Sequence, residues 1–200
     1  MITMMTAFLV MINPFALFLY LNPVMRELTD KQFTVLLLRA AGISFAFFMI
    51  FLFGGDFLFK KVFRIEFDSF RIFGGIVIFS FAYYYIVQGK KSLLQMKEDL
   101  NDLASDIALP FMVGAGSISI TVIIAHNFTA VEGFFMILGA LLVAIATILI
   151  LKVIKDYIIL KEFRTAFDKA MEILLRLNGF FVGAIGIDMI LTGITNIFVK

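Results

Sequence analysis

Six apolar runs, each close to the roughly 20 residues that a helix needs to cross a bilayer, constrain this chain more than any other feature of its sequence. They cover residues 2–21, 36–59, 70–87, 107–125, 133–151 and 177–198. Hydrophobic residues make up 62% of the chain and charged residues 16%, whereas soluble domains are about half apolar and a quarter charged. The surplus apolar surface needs lipid as its solvent. We therefore predict an all-α membrane protein with six transmembrane helices in one domain, residues 1–200.

The chain lacks the residues that several classes of function require. The chain has no cysteine, which excludes disulfides, thiolate metal sites and iron–sulfur clusters, and its one histidine, His126, cannot build a multi-histidine site. No basic tract is interleaved with aromatic residues, so we expect no nucleic-acid partner. No histidine or cysteine lies within an apolar run to act as a base or nucleophile. We therefore expect neither an enzyme nor a metal or cofactor site.

Positive charges near the ends of the runs predict the orientation, because cytoplasmic loops carry an excess of lysine and arginine. With the N-terminus outside, twelve of these residues fall inside and five outside. The five are Lys60, Lys61, Arg64, Arg71 and Lys200. This bias predicts a multi-pass protein of the inner or plasma membrane with both termini outside. Arg71 lies near the end of a run, where snorkelling of the side chain toward the interface accounts for it.

Two of the runs are interrupted near their centres. In "INPFA" Pro14 removes a backbone donor, and in "VGAGSIS" Gly114 and Gly116 permit turn geometry. Irregular backbone at membrane depth is tolerated only inside protein or beside a watery cavity. Asn13 and Pro14 are favoured residues at a helix start, so we predict that the first and fourth helices are discontinuous.

Internal symmetry supports this interpretation. "RIFGGIVIF" begins at Arg71 and "RLNGFFVGA" at Arg176, an offset of 176 − 71 = 105, and the two breaks, Asn13 and Gly114, are offset by 114 − 13 = 101. Three helices per half is an odd number, so the second half would be inverted. The predicted organisation is a first three-helix repeat over residues 1–88, an inner connecting loop over 89–106, and a second, inverted three-helix repeat over 107–200.

The interruptions predict a binding site at the membrane midplane. A helix start offers unpaired N–H donors and a partial positive charge, which suits the carboxylate of an amino acid, and small residues leave a small pocket. The candidate substrate-binding residues are Asn13, Pro14, Phe15, Ala16, Gly114, Ala115, Gly116, Ser117 and Ser119. The alternatives are that the proline only kinks its helix and that the small residues only allow close packing.

Two further predictions concern the second half of the chain. Asp188 lies within the sixth run, where a carboxylate is costly unless it is paired, protonated or hydrated. It is a candidate for coupling transport to protons or sodium ions; the alternatives are a buried partner of an arginine or a hydroxyl, or a residue near the outer interface. Charges at helical spacing in "KDYIILKEFRTAFDKAMEILLR" predict an amphipathic helix lying on the membrane surface between the fifth and sixth spans.

At these residues the sequence resembles the MarC family, whose members include neutral amino-acid transporters of the SnatA type. The resemblance covers essentially the whole chain and rests on "NPFALFLYL", "FRIFGGIVIFSFA", "LPFMVGAGSIS" and "RLNGFFVGAIGIDMILTGI", in the family's order and spacing. It implies a six-span inner-membrane protein, with its N-terminus outside, built from two inverted three-helix halves.

The family's first motif, an Asx-Pro-x-Gly type, falls on Asn13 to Ala16, and its second, a Gly-Pro-Gly type, on Gly114 to Gly116. Ala16 stands where glycine is usual and Ala115 where proline is usual, so the second break depends on its glycines alone. The function we expect is secondary transport of small neutral amino acids, such as glycine or alanine. The alternative is a channel for water or a small neutral solute.

Overall fold

The computed structural model describes residues 2–88, 100–158 and 164–198, almost all of which are helical and none of which lies in a strand. The α-helices are α1 Ile2–Ile12, α2 Pro14–Tyr20, α3 Asn22–Glu27, α4 Asp30–Phe57, α5 Phe67–Gln88, α6 Leu100–Asp106, α7 Ala115–Asn127, α8 Ala130–Val153 and α9 Arg164–Phe198. Three π-helical segments, Leu58–Phe63, Ile107–Met112 and Ile154–Ile158, continue α4, α6 and α8.

Four segments in the described part of the chain are long and apolar enough to span a membrane. They are Ile2–Tyr20, Asp30–Gly55, Ala130–Asp156 and Gly179–Phe198. The first of them contains both α1 and α2. The protein is therefore a multi-pass integral membrane protein, as predicted. The third apolar run forms α5, and the fourth forms the second π-helical segment and the shorter apolar helix α7. That these two also cross the membrane stays a prediction.

Two sequence-based expectations are wrong in their boundaries. Residues 100–106 of the expected connecting loop form α6, which is anchored because Leu103 and Ala104 are fully buried; the remainder, 89–99, lies outside the described residues. The expected surface helix over residues 155–176 is not a separate element. Residues 155–158 belong to the third π-helical segment, residues 159–163 lie outside the described residues, and α9 runs from Arg164 to Phe198 without interruption. The charges from Arg164 onward belong to the first turns of a long helix.

The long helices α4 and α8 begin in the same way. Thr29 and Thr129 adopt nearly equal extended conformations, with φ/ψ of −68°/158° and −67°/154°. The Thr29 hydroxyl accepts from the Gln32 N–H, and the Gln32 side chain accepts from the Thr29 N–H at 3.0 Å. Glu132 and Thr129 repeat this reciprocal cap at the start of α8. Each cap satisfies backbone donors that lipid could not.

The main buried cluster draws on α1 to α4, on α6 to α8 and on the π-helical segments that follow α4 and α6, which we call the core bundle. Phe8 and Phe48 meet edge to face inside it, with ring centres 4.9 Å apart. Of the described hydrophobic side chains in α5 and α9, the partly buried Phe67 and Phe70 pack against this cluster. The two helices therefore form a layer beside the core bundle.

Glycines hold α5 and α9 together as an antiparallel unit, the α5–α9 pair. A Cβ on Gly75 would lie 2.5 Å from the Gly186 carbonyl oxygen, and a Cβ on Gly186 would lie 2.8 Å from the Gly75 oxygen. Only glycine permits backbones to approach this closely. Gly74 does the same toward the core bundle, since a Cβ there would lie 1.7 Å from the Ala115 Cβ. The α5–α9 pair thus meets the core bundle at the first residue of α7.

Candidate functional site

The junction between α1 and α2 is built around Asn13. Its φ of 48° and ψ of 73° place it in the left-handed region, which asparagine tolerates better than most residues. Its side-chain oxygen accepts from the Ala16 N–H at 3.1 Å, and its carbonyl oxygen accepts from the Leu17 N–H at 3.0 Å. Pro14 has no N–H to satisfy. The start of α2 is therefore nearly saturated, with the Phe15 N–H as the remaining donor of its first turn.

The junction before α7 is built without a capping side chain. Gly114, with φ of −120° and ψ of 173°, precedes the helix and has nothing with which to accept from the first turn. Ser117 instead reaches back, its hydroxyl accepting from the Gly114 N–H at 3.0 Å and lying 2.9 Å from the Met112 carbonyl oxygen. The N–H groups of Ala115, Gly116 and Ser117 have no acceptor within their own helix. This end carries the partial positive charge of the helix dipole.

A cavity of about 110 Å³ lies between the two junctions. A water molecule occupies roughly 30 Å³ in the liquid, so the space suits a few waters or one small solute. Its polar lining comes from Asn13, Tyr20, Ser117 and the backbone at the start of α7, and its apolar lining includes Ile78 and Ile185. The core bundle supplies one side of the cavity and the α5–α9 pair supplies the other.

The structure brings together some of the candidate binding residues and separates others. Those that line the cavity are Asn13, Ala16, Gly114, Gly116 and Ser117. Phe15 is 62% exposed on the outer surface, and Ala115 packs against Gly74. Ser119 accepts from the Arg71 guanidinium at 3.4 Å. Pro14 is half-buried beside the junction and does not line the cavity.

Asp188 does not line the cavity. Its neighbours do approach it: Ile185 is part of the lining, and Met189 is buried, with its sulfur 3.6 Å from the place where a Gly116 Cβ would lie. Asp188 itself is exposed on the surface of α9. No hydrogen bond or ion pair joins it to another residue within the described ranges.

Arg71 points inward, so snorkelling does not describe it. Its side chain is 14% exposed, and its guanidinium lies 3.2 Å from the Asp68 carboxylate and 5.2 Å from the centre of the Phe67 ring. The sequence could not reveal this, because a position near the end of a run is compatible with either direction. Tyr20, Phe111 and Ile78 were also missed as lining residues, since nothing local distinguishes them from residues that face lipid.

Comparison with known proteins agrees with this membrane architecture. The family model described as "MarC family integral membrane protein" matches residues 1–198. The UPF0056 membrane protein PH0214 of Pyrococcus horikoshii is 26% identical over 186 residues, covering 92% of this chain and 88% of that protein. The UPF0056 membrane protein YhcE of Escherichia coli is 30% identical over 169 residues, covering 79% and 75%.

A UPF0056 membrane protein of Aquifex aeolicus is 23% identical over 197 residues, covering 94% of this chain and 89% of that protein. No solved structure gives a significant match. The family match spans nearly the whole sequence, and the printed names of these relatives specify a membrane protein without a substrate. The chain belongs to the MarC family of integral membrane proteins.

Proposed function

We propose that this protein is a secondary transporter of small neutral amino acids, the glycine and alanine class, across the inner or plasma membrane. The observation that carries the proposal is the small cavity against the uncapped first turn of α7. Backbone donors at a helix start are suited to a carboxylate. A cavity of about 110 Å³ with largely apolar walls favours a small substrate without a charged side chain.

In this proposal each end of the amino acid has its own partners. The carboxylate faces the N–H groups of Gly116 and Ser117. The ammonium group lies toward the α1–α2 junction, at the Asn13 end of the cavity. Apolar atoms of Ile78 and Ile185 surround the substituent on the α-carbon. The junctions at Asn13 and Gly114 then act as the breaks of two discontinuous helices.

We further propose six spans arranged as two inverted three-helix repeats, residues 1–88 and 107–200. Contacts that recur at a fixed offset support this. The Lys152 ammonium lies 6.0 Å from the centre of the Phe33 ring. The equivalent positions in the other half, 100 residues away, are Gly133 for Phe33 and Leu52 for Lys152. These two residues are also in contact, since a Cβ on Gly133 would lie 2.7 Å from a Leu52 methyl group.

A second pair of contacts obeys the same rule. The Lys155 ammonium contacts the Asn22 side-chain oxygen, and the corresponding positions at the offset of 100, Gly55 and Val122, are also in contact. At the level of whole helices, α1 packs on α8 as α6 packs on α4, and the matching helices α5 and α9 are antiparallel. Together with the charge bias of the loops, this supports a repeat inverted across the membrane, with both termini outside.

The arrangement also suggests how access could alternate. Inverted-repeat transporters expose a midplane site to either side by rocking one bundle against another. Here the cavity lies between the core bundle and the α5–α9 pair, and the glycine contacts within that pair allow it to move as one body. Rocking at this boundary would open the cavity toward one side and close it toward the other.

Uptake of labelled glycine and alanine into proteoliposomes tests the proposal. We expect uptake above empty vesicles that saturates with substrate concentration, and no uptake under proton or sodium gradients for any small amino acid would overturn the proposal.

Asp188→Asn, assayed under each gradient, tests whether this carboxylate couples an ion to uptake. Stopped-flow vesicle shrinkage separates the alternative, because a channel for water or a small solute passes its substrate much faster than a carrier does.

A further inference from the structure

A second and larger cavity opens at the opposite end of α7. Its volume is about 630 Å³, and its charged and polar lining comes from Lys60, Arg64, Glu66, Asp68 and His126. We call this space the polar vestibule. It carries both signs of charge, whereas the central cavity is lined mainly by apolar side chains. A solute with separated positive and negative groups therefore finds partners for both in the vestibule.

The two cavities lie along the same pair of helices. On α7, Ser117 lines the central cavity and Val122 lines the vestibule. Five residues of helix span about 7.5 Å at 1.5 Å per residue, so the separation along α7 is short. On α5, Ile78 lines the central cavity and Asp68 lines the vestibule. A solute that passes from one space to the other must move along the contact between α5 and α7.

Arg71 occupies that contact. Its position on α5 is between Asp68 and Ile78, and it donates to Ser119, which is between Ser117 and Val122 on α7, at 3.4 Å. The guanidinium thus bridges the α5–α9 pair and the core bundle midway between the two cavities. Glycine at position 74 brings the same helices into direct contact one turn further along α5.

The surroundings of Arg71 prepare it for a carboxylate. One terminal nitrogen lies 3.2 Å from the Asp68 carboxylate, which also accepts from the Asn196 side chain at 2.9 Å, and the other donates to Ser119. A guanidinium has five donors in a planar fork that matches a carboxylate with two parallel hydrogen bonds. A neutral hydroxyl at 3.4 Å is a weak partner for such a group. An incoming carboxylate can therefore displace Ser119 and bind Arg71 more strongly.

We propose that the polar vestibule is an entry site for zwitterionic amino acids and that Arg71, bonded to Ser119, closes the passage from it to the central cavity until a substrate carboxylate takes the place of the serine hydroxyl. This inference rests on the proposed function for the identity of the ligand. The closure itself is a property of the protein without substrate.

Because the chain has no cysteine, single cysteines can report access directly. Ile185→Cys places a thiol in the central cavity, and Ile65→Cys places one in the vestibule. Each protein, reconstituted in vesicles without amino acids, is treated with a membrane-impermeant thiol reagent from one side and then from the other. Ile65→Cys identifies the side that faces the vestibule.

We expect Ser119→Ala and Arg71→Gln to speed labelling of Ile185→Cys from the vestibule side by about fivefold, the equilibrium shift expected when one hydrogen bond of ordinary net strength is lost. Labelling of Ile65→Cys should not change. Ser119→Ala removes one oxygen only, so it keeps the test available if Arg71→Gln does not fold. Equal labelling rates of Ile185→Cys with and without the Arg71–Ser119 bond would overturn the inference.

A second measurement tests the ligand class. Glycine should slow labelling of Ile65→Cys, whereas methylamine, which lacks the carboxylate, should not, and Arg71→Gln should remove the protection by glycine. Equal protection by both compounds, or none by either, would overturn the entry site. Failure of the proposed function is distinguishable, since it would leave the Arg71-dependent labelling intact while proteoliposome uptake is absent.

Discussion

At Asn13 the chain ends one helix and starts the next with a side chain that caps the new helix, whereas at Gly114 it does so without any capping side chain. The carboxamide of Asn13 accepts from Ala16 and Pro14 has no N–H, so α2 offers little to a ligand. At α7 the side chain of Ser117 binds the backbone of Gly114 and leaves the first-turn donors open. In the function proposed above, the α2 start shapes the site and the α7 start supplies its donors.

The sequence predicts two helix starts that converge on one ligand, and in the structure these two starts differ in the donors that they leave open. In both junctions the backbone breaks beside a small cavity, yet only the second has several free donors. In the proposed inverted repeat, the two halves divide the tasks of shaping the site and binding the substrate. Substitutions at the two junctions should accordingly have different effects.

The largest effect is expected from Gly116→Leu. A Cβ at this position would already lie 2.8 Å from the Met11 sulfur, so a leucine fills the cavity beside the α7 donors. We expect uptake to fall by about 100-fold or more, since overpacking a closed site costs about 1–3 kcal/mol before any ligand contact is lost. The matched control is Gly42→Leu, because a Cβ on Gly42 meets no atom within 4 Å. Undiminished uptake by Gly116→Leu would exclude this cavity as the site.

The next effect is expected from Gly74→Ala, which acts on the α7 junction from outside the cavity. Its Cβ would lie 1.7 Å from the Ala115 Cβ, and backbone must move to relieve this contact. We expect a fall in glycine uptake of about tenfold, since a displacement of the donors by roughly 1 Å can cost up to about 100-fold and the backbone can relax part of it. Gly54→Ala is the control, since its nearest neighbour would be an ordinary 3.8 Å away. Similar uptake by the two variants would argue against a role for the α7 start.

Ser117→Ala should have a moderate effect confined to the second junction. It removes the acceptor of the partly buried Gly114 N–H, and leaving this donor unsatisfied costs about 1 kcal/mol, the lower end of the range for buried donors. We expect a lower unfolding temperature and a severalfold higher KM for glycine. Ser44→Ala is the comparison, because that buried hydroxyl only donates to the Ala40 carbonyl of its own helix. Should both variants raise KM alike, the hydroxyl at Ser117 would have no particular connection to the site.

The smallest effect on binding is expected at the first junction. Asn13→Ala loses the cap and puts alanine, which tolerates the left-handed region less well than asparagine, at a φ of 48°; together these changes cost about 1–2 kcal/mol of stability. Asn13→Gly also loses the cap but keeps the backbone conformation at a smaller cost. Thermal unfolding should rank the wild type above Asn13→Gly and that above Asn13→Ala. Affinity for glycine should change less than in the α7 variants; a larger change would show that α2 also binds the substrate.

The breaks and the membrane class follow from the sequence because they depend on local chemistry. An apolar run of about 20 residues needs lipid wherever it lies, and a proline removes a donor in any environment. The resemblance to the MarC family was carried by motifs that contain these same breaks, and the family match confirms it. The sequence-based reading failed where charge spacing was used to separate elements: the expected surface helix is the beginning of α9.

Local chemistry did not determine which way each side chain points, toward the cavity or toward the outer surface. Phe15 and Ala16 are adjacent in one motif, but a helix turns by about 100° per residue, which sends Phe15 to the outer surface and Ala16 into the cavity. Ser119 was expected beside the substrate and instead bonds Arg71, a residue 48 positions away. Such pairings depend on how α5 and α9 pack against the core bundle.

The sequence by itself determined that this is a multi-pass membrane protein with irregular backbone at Asn13 and Gly114, because apolar length and missing backbone donors act within a few residues of each other. The tertiary structure decided that the interruptions enclose a cavity, that α7 supplies its donors, and that Arg71 turns inward. The reason is that contacts between helices distant in the chain depend on shape and close approach, such as that of Gly75 and Gly186, which no single segment encodes.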